Sequence, residues 1–154
     1  DFDIIFGPAY KGIPISLATA ISLAELTGKY VPFAFNRKEE KNYGDAKNII
    51  GAPLKDKNIL VLDDVITSGK TIRETYNLIQ REGGKFTSML VALDRNEISS
   101  SSKKSAMQTH SDEYNLKIYS IANMEDVDRY LQKYNPISKD LYRRFLVYRK
   151  QYGV

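Results

Sequence analysis

Four apolar residues run straight into two carboxylates: Ile59-Leu60-Val61-Leu62, then Asp63-Asp64. A continuous apolar run with β-branched members belongs to a strand buried on both faces. That is the setting of a parallel sheet covered by helices, not of an alternating, half-wet one. The run therefore predicts strand, helix and strand in alternation, with this strand at residues 59–62 in the middle of the sheet. Ligands of such sheets bind beyond the carboxyl ends of the strands. Asp63 and Asp64 stand at that end.

Val65-Ile66-Thr67-Ser68-Gly69-Lys70-Thr71 follows, and then a helical pattern in which Ile72, Tyr76 and Ile79 recur. The amides of residues 67–71 fall at that helix's N-terminus, where free N–H groups and the helix dipole favour a phosphate. Carboxylates for hydroxyl groups beside a cradle for a phosphate fit a phosphorylated sugar. Gly69-Lys70-Thr71 copies the tail of a nucleoside-triphosphate loop, but that motif needs a glycine where Asp64 stands. Residues 59–64 as the magnesium-binding strand of an NTPase have no glycine-rich partner loop in the chain. A buried strand ending in two solvated aspartates is the plainest alternative, and the hydroxyl and glycine loop after them argues against it.

The rest of the chain supplies the partners of this strand. Residues 2–6 read as a first strand, and Gly7-Pro8-Ala9-Tyr10-Lys11-Gly12 as a turn-rich loop. Residues 13–26 read as a largely buried helix that Gly28 stops. Residues 31–35 form a second strand, with Pro32 near its start. Residues 36–48 are polar, charged and aperiodic, a long loop of the kind that serves as a lid. Beyond the central strand come a helix over 71–81, a strand over 89–93, a surface loop rich in serine and lysine over 99–104, a helix over 106–114 and a fifth strand over 116–121. Asn123 and Ser138 are placed to cap two last helices, 124–134 and 139–151, with Pro136 between them. The expectation is one α/β domain, residues 1–154, with a five-stranded parallel sheet flanked by helices.

With 154 residues, 42% of them hydrophobic, the chain can bury a core. It has no cysteine, which excludes disulfides and thiolate metal sites and fits a reducing cytoplasm. No apolar run approaches membrane-spanning length, and no secretory leader opens the chain. The excess of 23 basic over 19 acidic side chains, +4 overall, is as well explained by a polyphosphate substrate as by nucleic acid. Asp1 is not a methionine and a core strand follows it at once. An N-terminal segment is therefore expected to be missing.

The run from Asp63 to Thr71 resembles the phosphoribosyl-diphosphate (PRPP) motif of type I phosphoribosyltransferases. Phe6-Gly7-Pro8-Ala9-Tyr10-Lys11-Gly12-Ile13-Pro14, Phe35-Asn36-Arg37-Lys38-Glu39-Glu40-Lys41, Leu93-Asp94-Arg95 and the C-terminal Tyr148-Arg149-Lys150-Gln151-Tyr152-Gly153-Val154 narrow the resemblance to the orotate-using branch. The resemblance implies transfer of phosphoribosyl from PRPP to orotate, giving orotidine 5′-monophosphate and pyrophosphate in pyrimidine synthesis. It implies a homodimer with shared active sites, a soluble cytoplasmic enzyme without nucleic-acid or membrane partners, and a small hood, here absent, over the base pocket.

Residue by residue, the resemblance makes Asp63 and Asp64 the pair at the ribose hydroxyls. Val65, Ile66, Thr67, Ser68, Gly69, Lys70 and Thr71 become the 5′-phosphate cradle. Tyr10 and Lys11 become the pyrophosphate loop, held by a cis peptide before Tyr10. Arg37, Lys38 and Lys41 belong to the mobile catalytic loop, about 36–48, which closes on the neighbouring subunit, with Lys41 catalytic. Thr67 and Arg95 face orotate. Tyr43 replaces a histidine that many bacterial relatives use on pyrophosphate, and Gly44 stands where they have several glycines. Mg2+ is implied as a cofactor held mainly by substrate oxygens, with no dedicated protein ligands. His110, the only histidine, receives no role. Two alternatives remain open: a regulatory PRPP-binding protein with weak or no catalysis, and a type I transferase for another base. Loss of the basic loop or of Arg95 would favour the first; both are present. Purine enzymes lack the loop from Arg37 to Lys41.

Overall fold

The computed structural model describes residues 1–38, 48–66, 69–99 and 104–153. In chain order the elements are β1 (Ile4–Gly7), α1 (Gly12–Thr27), β2 (Phe33–Asn36), β3 (Ile49–Gly51), β4 (Asn58–Ile66), α2 (Lys70–Arg81), β5 (Lys85–Asp94), α3 (Ala106–Tyr114), β6 (Lys117–Asn123), α4 (Met124–Tyr134) and α5 (Lys139–Tyr152). The strands form one six-stranded sheet in the order β3-β2-β1-β4-β5-β6. Every pairing is parallel except β2 with β3.

The expected α/β architecture is present, with one strand more than the sequence predicted. β3 was missed because a three-residue strand is too short to show a period. Its antiparallel register, Phe35↔Ile50 and Asn36↔Ile49, continues in the bond from the Arg37 amide to the Asn48 carbonyl, 2.9 Å. Both ends of the expected lid segment are thus paired backbone, and Asn36 belongs to β2. Residues 39–47 lie outside the described ones.

The second correction concerns β4, which does not stop at Leu62. It runs through both acids to Ile66, because β5 pairs with it all the way: Asp63↔Val91, Val65↔Leu93, Ile66↔Asp94. Alternation then sends the two acids to opposite faces. Ile59 and Val61 pack in the larger core with Ile72 and Ile79 of α2 and Ala106 of α3. Leu62 packs on the other face, with Ile5 and Ala20 of α1. Asp63 accordingly lies on the α2–α3 side and Asp64 on the α1 side.

The crossovers explain why these faces differ. From β1 the chain moves one way to β2 through α1. From β4 it moves the other way to β5 through α2 and on to β6 through α3. Right-handed crossovers in opposite directions put their helices on opposite faces. β1 and β4 are therefore the neighbours at which the order reverses, and a crevice opens beyond their carboxyl ends.

Ile59 is fully buried, so Ile59→Ala should cost about 2–5 kcal/mol of stability. Asn123 accepts from the Glu125 and Asp126 amides and completes a capping box with Asp126, so Asn123→Ala should cost about 1 kcal/mol. Urea unfolding of both variants checks the ranking; a larger loss from the cap would place the stability of this fold at its periphery.

Candidate active site

Three segments meet at the crevice. The first, between β1 and α1, folds tightly on itself. A Cβ at Gly7 would stand 2.1 Å from the Gly12 carbonyl oxygen, and one at Gly12 would stand 2.8 Å from the Leu62 carbonyl oxygen. Only glycine lets this loop lie flat against β4. The Ala9–Tyr10 peptide is cis, as the resemblance led one to expect. The Ala9 amide donates to Asn36 Oδ1 at 2.9 Å, fastening the loop to the end of β2. The Lys38 ammonium lies 4.8 Å from the centroid of the exposed Tyr10 ring. A hollow of about 350 Å³ lies between Tyr10, Ile13, Phe35, Arg37 and Lys38. A second, of about 270 Å³, shares Ala9, Asn36 and Lys38 with it and runs on to Lys70 and Thr71.

The second segment, the carboxyl end of β4, carries the acids. Lys11, at the start of α1, donates to Asp64 Oδ2 at 2.6 Å. Burial pushes the Asp64 carboxyl up, but its bonds with Lys11 and Asp63 and the Lys11 charge outweigh this and hold it below the usual range. Asp63 has no such cation in contact. Its Oδ1 accepts the Asp64 amide at 2.9 Å, and only 8% of the residue is exposed. Burial raises its carboxyl from 3.8 to about 6; the Asp64 amide opposes this and the Asp64 charge adds to it. The two neighbours thus differ: one is a firm anion under a lysine, the other a carboxylate whose charge is costly until a partner arrives.

The third feature is the start of α2. Gly69 is its N-cap, with φ +73°, no side chain caps it, and its first turn holds no acid. The first intrahelical bond runs from the Arg73 amide to the Gly69 carbonyl, 3.1 Å; the N–H groups before it have no intrahelical acceptor. By contrast Ser105, Asn123 and Ser138 cap α3, α4 and α5 with their own side chains. At the start of α1, which also lacks a side-chain cap, the Gly12 and Ile13 amides turn onto the carbonyls of Pro8 and Tyr10. Among the described residues the α2 terminus, with a small cavity of about 30 Å³ among Val65, Ile66, Gly69, Lys70, Thr71 and Ile72, is the one left open to an anion.

Arg95 follows β5 at the same sheet end. Its Nη2 bonds Glu97 Oε1 at 2.5 Å and the Tyr148 hydroxyl of α5; that hydroxyl also donates to Glu97 Oε1. The guanidinium is held by one corner, and its other N–H groups remain for a planar acceptor. The fold brings together Tyr10 with Lys38, and Lys11 with Asp64; it sets Lys70 and Thr71 across a hollow from Lys38. Lys41, Tyr43, Thr67 and Ser68 lie outside the described residues. The sequence reading missed Asn36, Glu97, Tyr148 and His110 as members or supports of this site. Asn36 had a signal, a polar residue closing an apolar strand at its carboxyl end; Tyr148 had none, because a partner 53 positions away leaves no local pattern.

The profile of the phosphoribosyl transferase domain matches residues 1–128. The chain is 46% identical over 154 residues to the orotate phosphoribosyltransferase of Marinobacter nauticus, spanning 100% of this chain and 71% of that protein. It is 44% identical over 156 residues to that of Yarrowia lipolytica, spanning 99% and 70%. The solved structure of the Francisella tularensis orotate phosphoribosyltransferase superposes on it with a TM-score of 0.82 at 32% identity, covering 100% of this chain and 72% of that one.

The state of Asp63 has a thermodynamic consequence. Its folded pKa lies above the unfolded one, so the folded form holds a proton longer, and stability falls as pH rises between 3.8 and about 6. Asp63→Asn removes that loss. Without ligand the variant should be more stable than the parent at pH 7.5, by on the order of 1–2 kcal/mol, and the gap should shrink by pH 5. Urea unfolding at the two pH values decides it; a variant less stable at pH 7.5 would mean that Asp63 is held by a favourable partner.

Proposed function

The chain belongs to the orotate phosphoribosyltransferase branch of the phosphoribosyl transferase family, and from that premise we propose how its crevice carries the reaction. The enzyme transfers phosphoribosyl from PRPP to orotate and releases pyrophosphate. The single observation that carries the site reading is the acid pair at the end of β4 beside the uncapped start of α2. Ribose hydroxyls fit the first and a 5′-phosphate the second, four to seven residues on.

As the bond from C1 to pyrophosphate breaks and the bond to the orotate nitrogen forms, positive charge gathers on the ribose and negative charge on the leaving group. Fixed anions near one and cations near the other lower the barrier. Asp63 and Asp64 supply the anions; the positive ribose in turn relieves the cost of the Asp63 charge. Lys11 is already poised beside Asp64 and needs only to swing toward pyrophosphate. Arg95, oriented by Glu97 and Tyr148, offers its free edge to the orotate carboxylate. Mg2+ fits this donor set: Asp63 and Asp64 supply hard oxygens beside the substrate. The ion would take most of its shell from substrate oxygens and water, and when bound it neutralises pyrophosphate charge. Lys41, Tyr43, Arg37 and Lys38 belong to a loop that closes over the substrates from the neighbouring subunit of a homodimer. This part rests on the resemblance of residues 35–41 alone. Among the described residues no helix is long and apolar enough to cross a membrane.

The loss of orotate absorbance with PRPP and Mg2+ tests the activity directly, and PRPP binding with no turnover would favour the regulatory alternative. Arg95→Ala should raise the orotate KM about tenfold or more while the PRPP KM stays nearly constant. Tyr148→Phe should move the same constant less, because it loosens Arg95 and removes no substrate contact. Equal changes in both KM values would take Arg95 out of the base pocket. For the shared site, mixing Lys41→Ala with Asp64→Asn subunits should regenerate activity in the mixed dimer. If confirmed mixed dimers are no more active than either parent, each subunit works with its own loop.

A further inference from the structure

The only histidine of the chain stands on α3, outside the three segments of the crevice, and it is 96% buried, with 4% exposed. Its imidazole faces the Gly69 turn. A Cβ built on Gly69 would stand 1.7 Å from His110 Nε2 and 2.3 Å from each of the two ring carbons that flank it. In-line approach to Nε2 would hold both flanking carbons farther off; at these short, equal distances the added carbon would sit over the ring face at Nε2, so the Gly69 turn packs on that face. Nδ1, on the other side of the ring, faces Glu113 Oε2 at 3.1 Å. A carboxylate only accepts, so Nδ1 carries the proton and donates it, and this bond fixes the orientation of the ring.

The contact is one link in a closed circuit. The Gly69 carbonyl accepts the Arg73 amide at 3.1 Å. Arg73 Nε donates to the Tyr114 hydroxyl at 3.3 Å. The Tyr114 ring stacks beside His110 at 6.2 Å between centroids, and His110 returns to Gly69. The circuit ties α3 to the first turn of α2. Gly69 is required twice over, once by its positive φ and once by the ring that occupies the place of a side chain.

We propose that His110 is a positioning residue of the reaction: its buried ring is the floor on which the Gly69 turn rests, and it sets the open α2 amides at the spacing a 5′-phosphate needs. This rests on the reading of that turn as the 5′-phosphate site. The amides are backbone groups with no side-chain freedom to adjust, so a displaced turn loses several phosphate bonds together. The effect is on PRPP binding and not on the chemical step.

Because the histidine is unique, its ring resonances report on this contact in the unaltered protein. Ribose 5-phosphate, which carries the phosphate without pyrophosphate or base, is titrated while the His110 Cε1–H signal is followed by NMR and the heat by calorimetry. The expected result is a saturable shift of that signal with the calorimetric Kd. Binding by calorimetry with an unmoved signal overturns the role of His110 and leaves the site reading standing. No binding of ribose 5-phosphate at all overturns the site reading, and His110's role with it. In steady state, His110→Ala should raise the PRPP KM about tenfold with kcat and the orotate KM within about twofold. His110→Gln, which can still reach toward Gly69, should recover part of the loss. A fall in kcat at constant PRPP KM in both variants would mean that the residue serves the fold alone. A double-mutant cycle adds an independent reading: Gly69→Ala should be less harmful in the His110→Ala background than in the parent, because the ring no longer meets the added methyl. Strict additivity would sever the link.

Discussion

The pairing of β1 with β4 is the constraint on which the rest depends. Ile5 lies against Leu60 and Phe6 against Val61 in parallel register, and both strands are buried on both faces because the helices beside them lie on opposite sides. Parallel neighbours whose crossovers depart in opposite directions cannot have their end covered by a connecting loop. The crevice is thus a consequence of topology before it is a consequence of any functional side chain. The tight fold of residues 7–12 and the extension of β4 through its acids then determine what the crevice contains.

That content is charge held against water. Ionised Asp63 beside ionised Asp64 on a nearly buried strand end is unfavourable, and Lys11 forms its ion pair with one of the two only. An enzyme whose substrate becomes cationic in the transition state gains from a site that is incompletely neutralised without it. The same logic holds for the phosphate site proposed at α2, whose first amides have no side-chain cap among the described residues. Where the chain has no substrate to hold, it closes its accounts internally: α3, α4 and α5 are capped by Ser105, Asn123 and Ser138. Asp128 joins α4 to Tyr142 at 2.8 Å and Arg149 at 3.2 Å on α5.

The sequence shows those features whose causes are local. The apolar run at 59–62 declares a buried strand, Asn123 and Ser138 declare two helix starts, and Gly28, in the left-handed conformation after α1, declares a helix end. Each rests on chemistry within a few residues. The full length of β4 was not legible, because Asp63 and Asp64 enter the sheet only through pairing with Val91 and its neighbours. β3 was hidden for the same reason: Ile49 and Ile50 are strand residues because Phe35 and Asn36 lie beside them. At the site, the acid pair and the glycine turn could be read from their order and spacing. What orients them could not: Asn36 under Ala9, Tyr148 on Arg95 and His110 beneath Gly69 are contacts across 27, 53 and 41 positions. No periodicity carries such information.

This separation has a physical reason. Residues that touch a substrate must combine particular chemical groups within a short reach, so they cluster in loops and leave a compact pattern in the chain. Residues that hold those loops in place need only the right shape at the right point, and any element that passes nearby can supply it. In this fold α3 and α5 pass nearby. α3 brings a buried ring to the phosphate turn, and α5 brings a phenol to the guanidinium beyond β5. Neither helix starts in the crevice, and α5 carries no buried residue of its own among the described ones. Its Tyr148 nevertheless reaches Arg95, and the isolated bridge between Glu97 and Gly153 ties the end of α5 to the same corner. The C-terminal helix is therefore better understood as a brace for Arg95 than as a contribution to the core. A change that loosens α5 should be felt first in how Arg95 is presented and only afterwards in global stability.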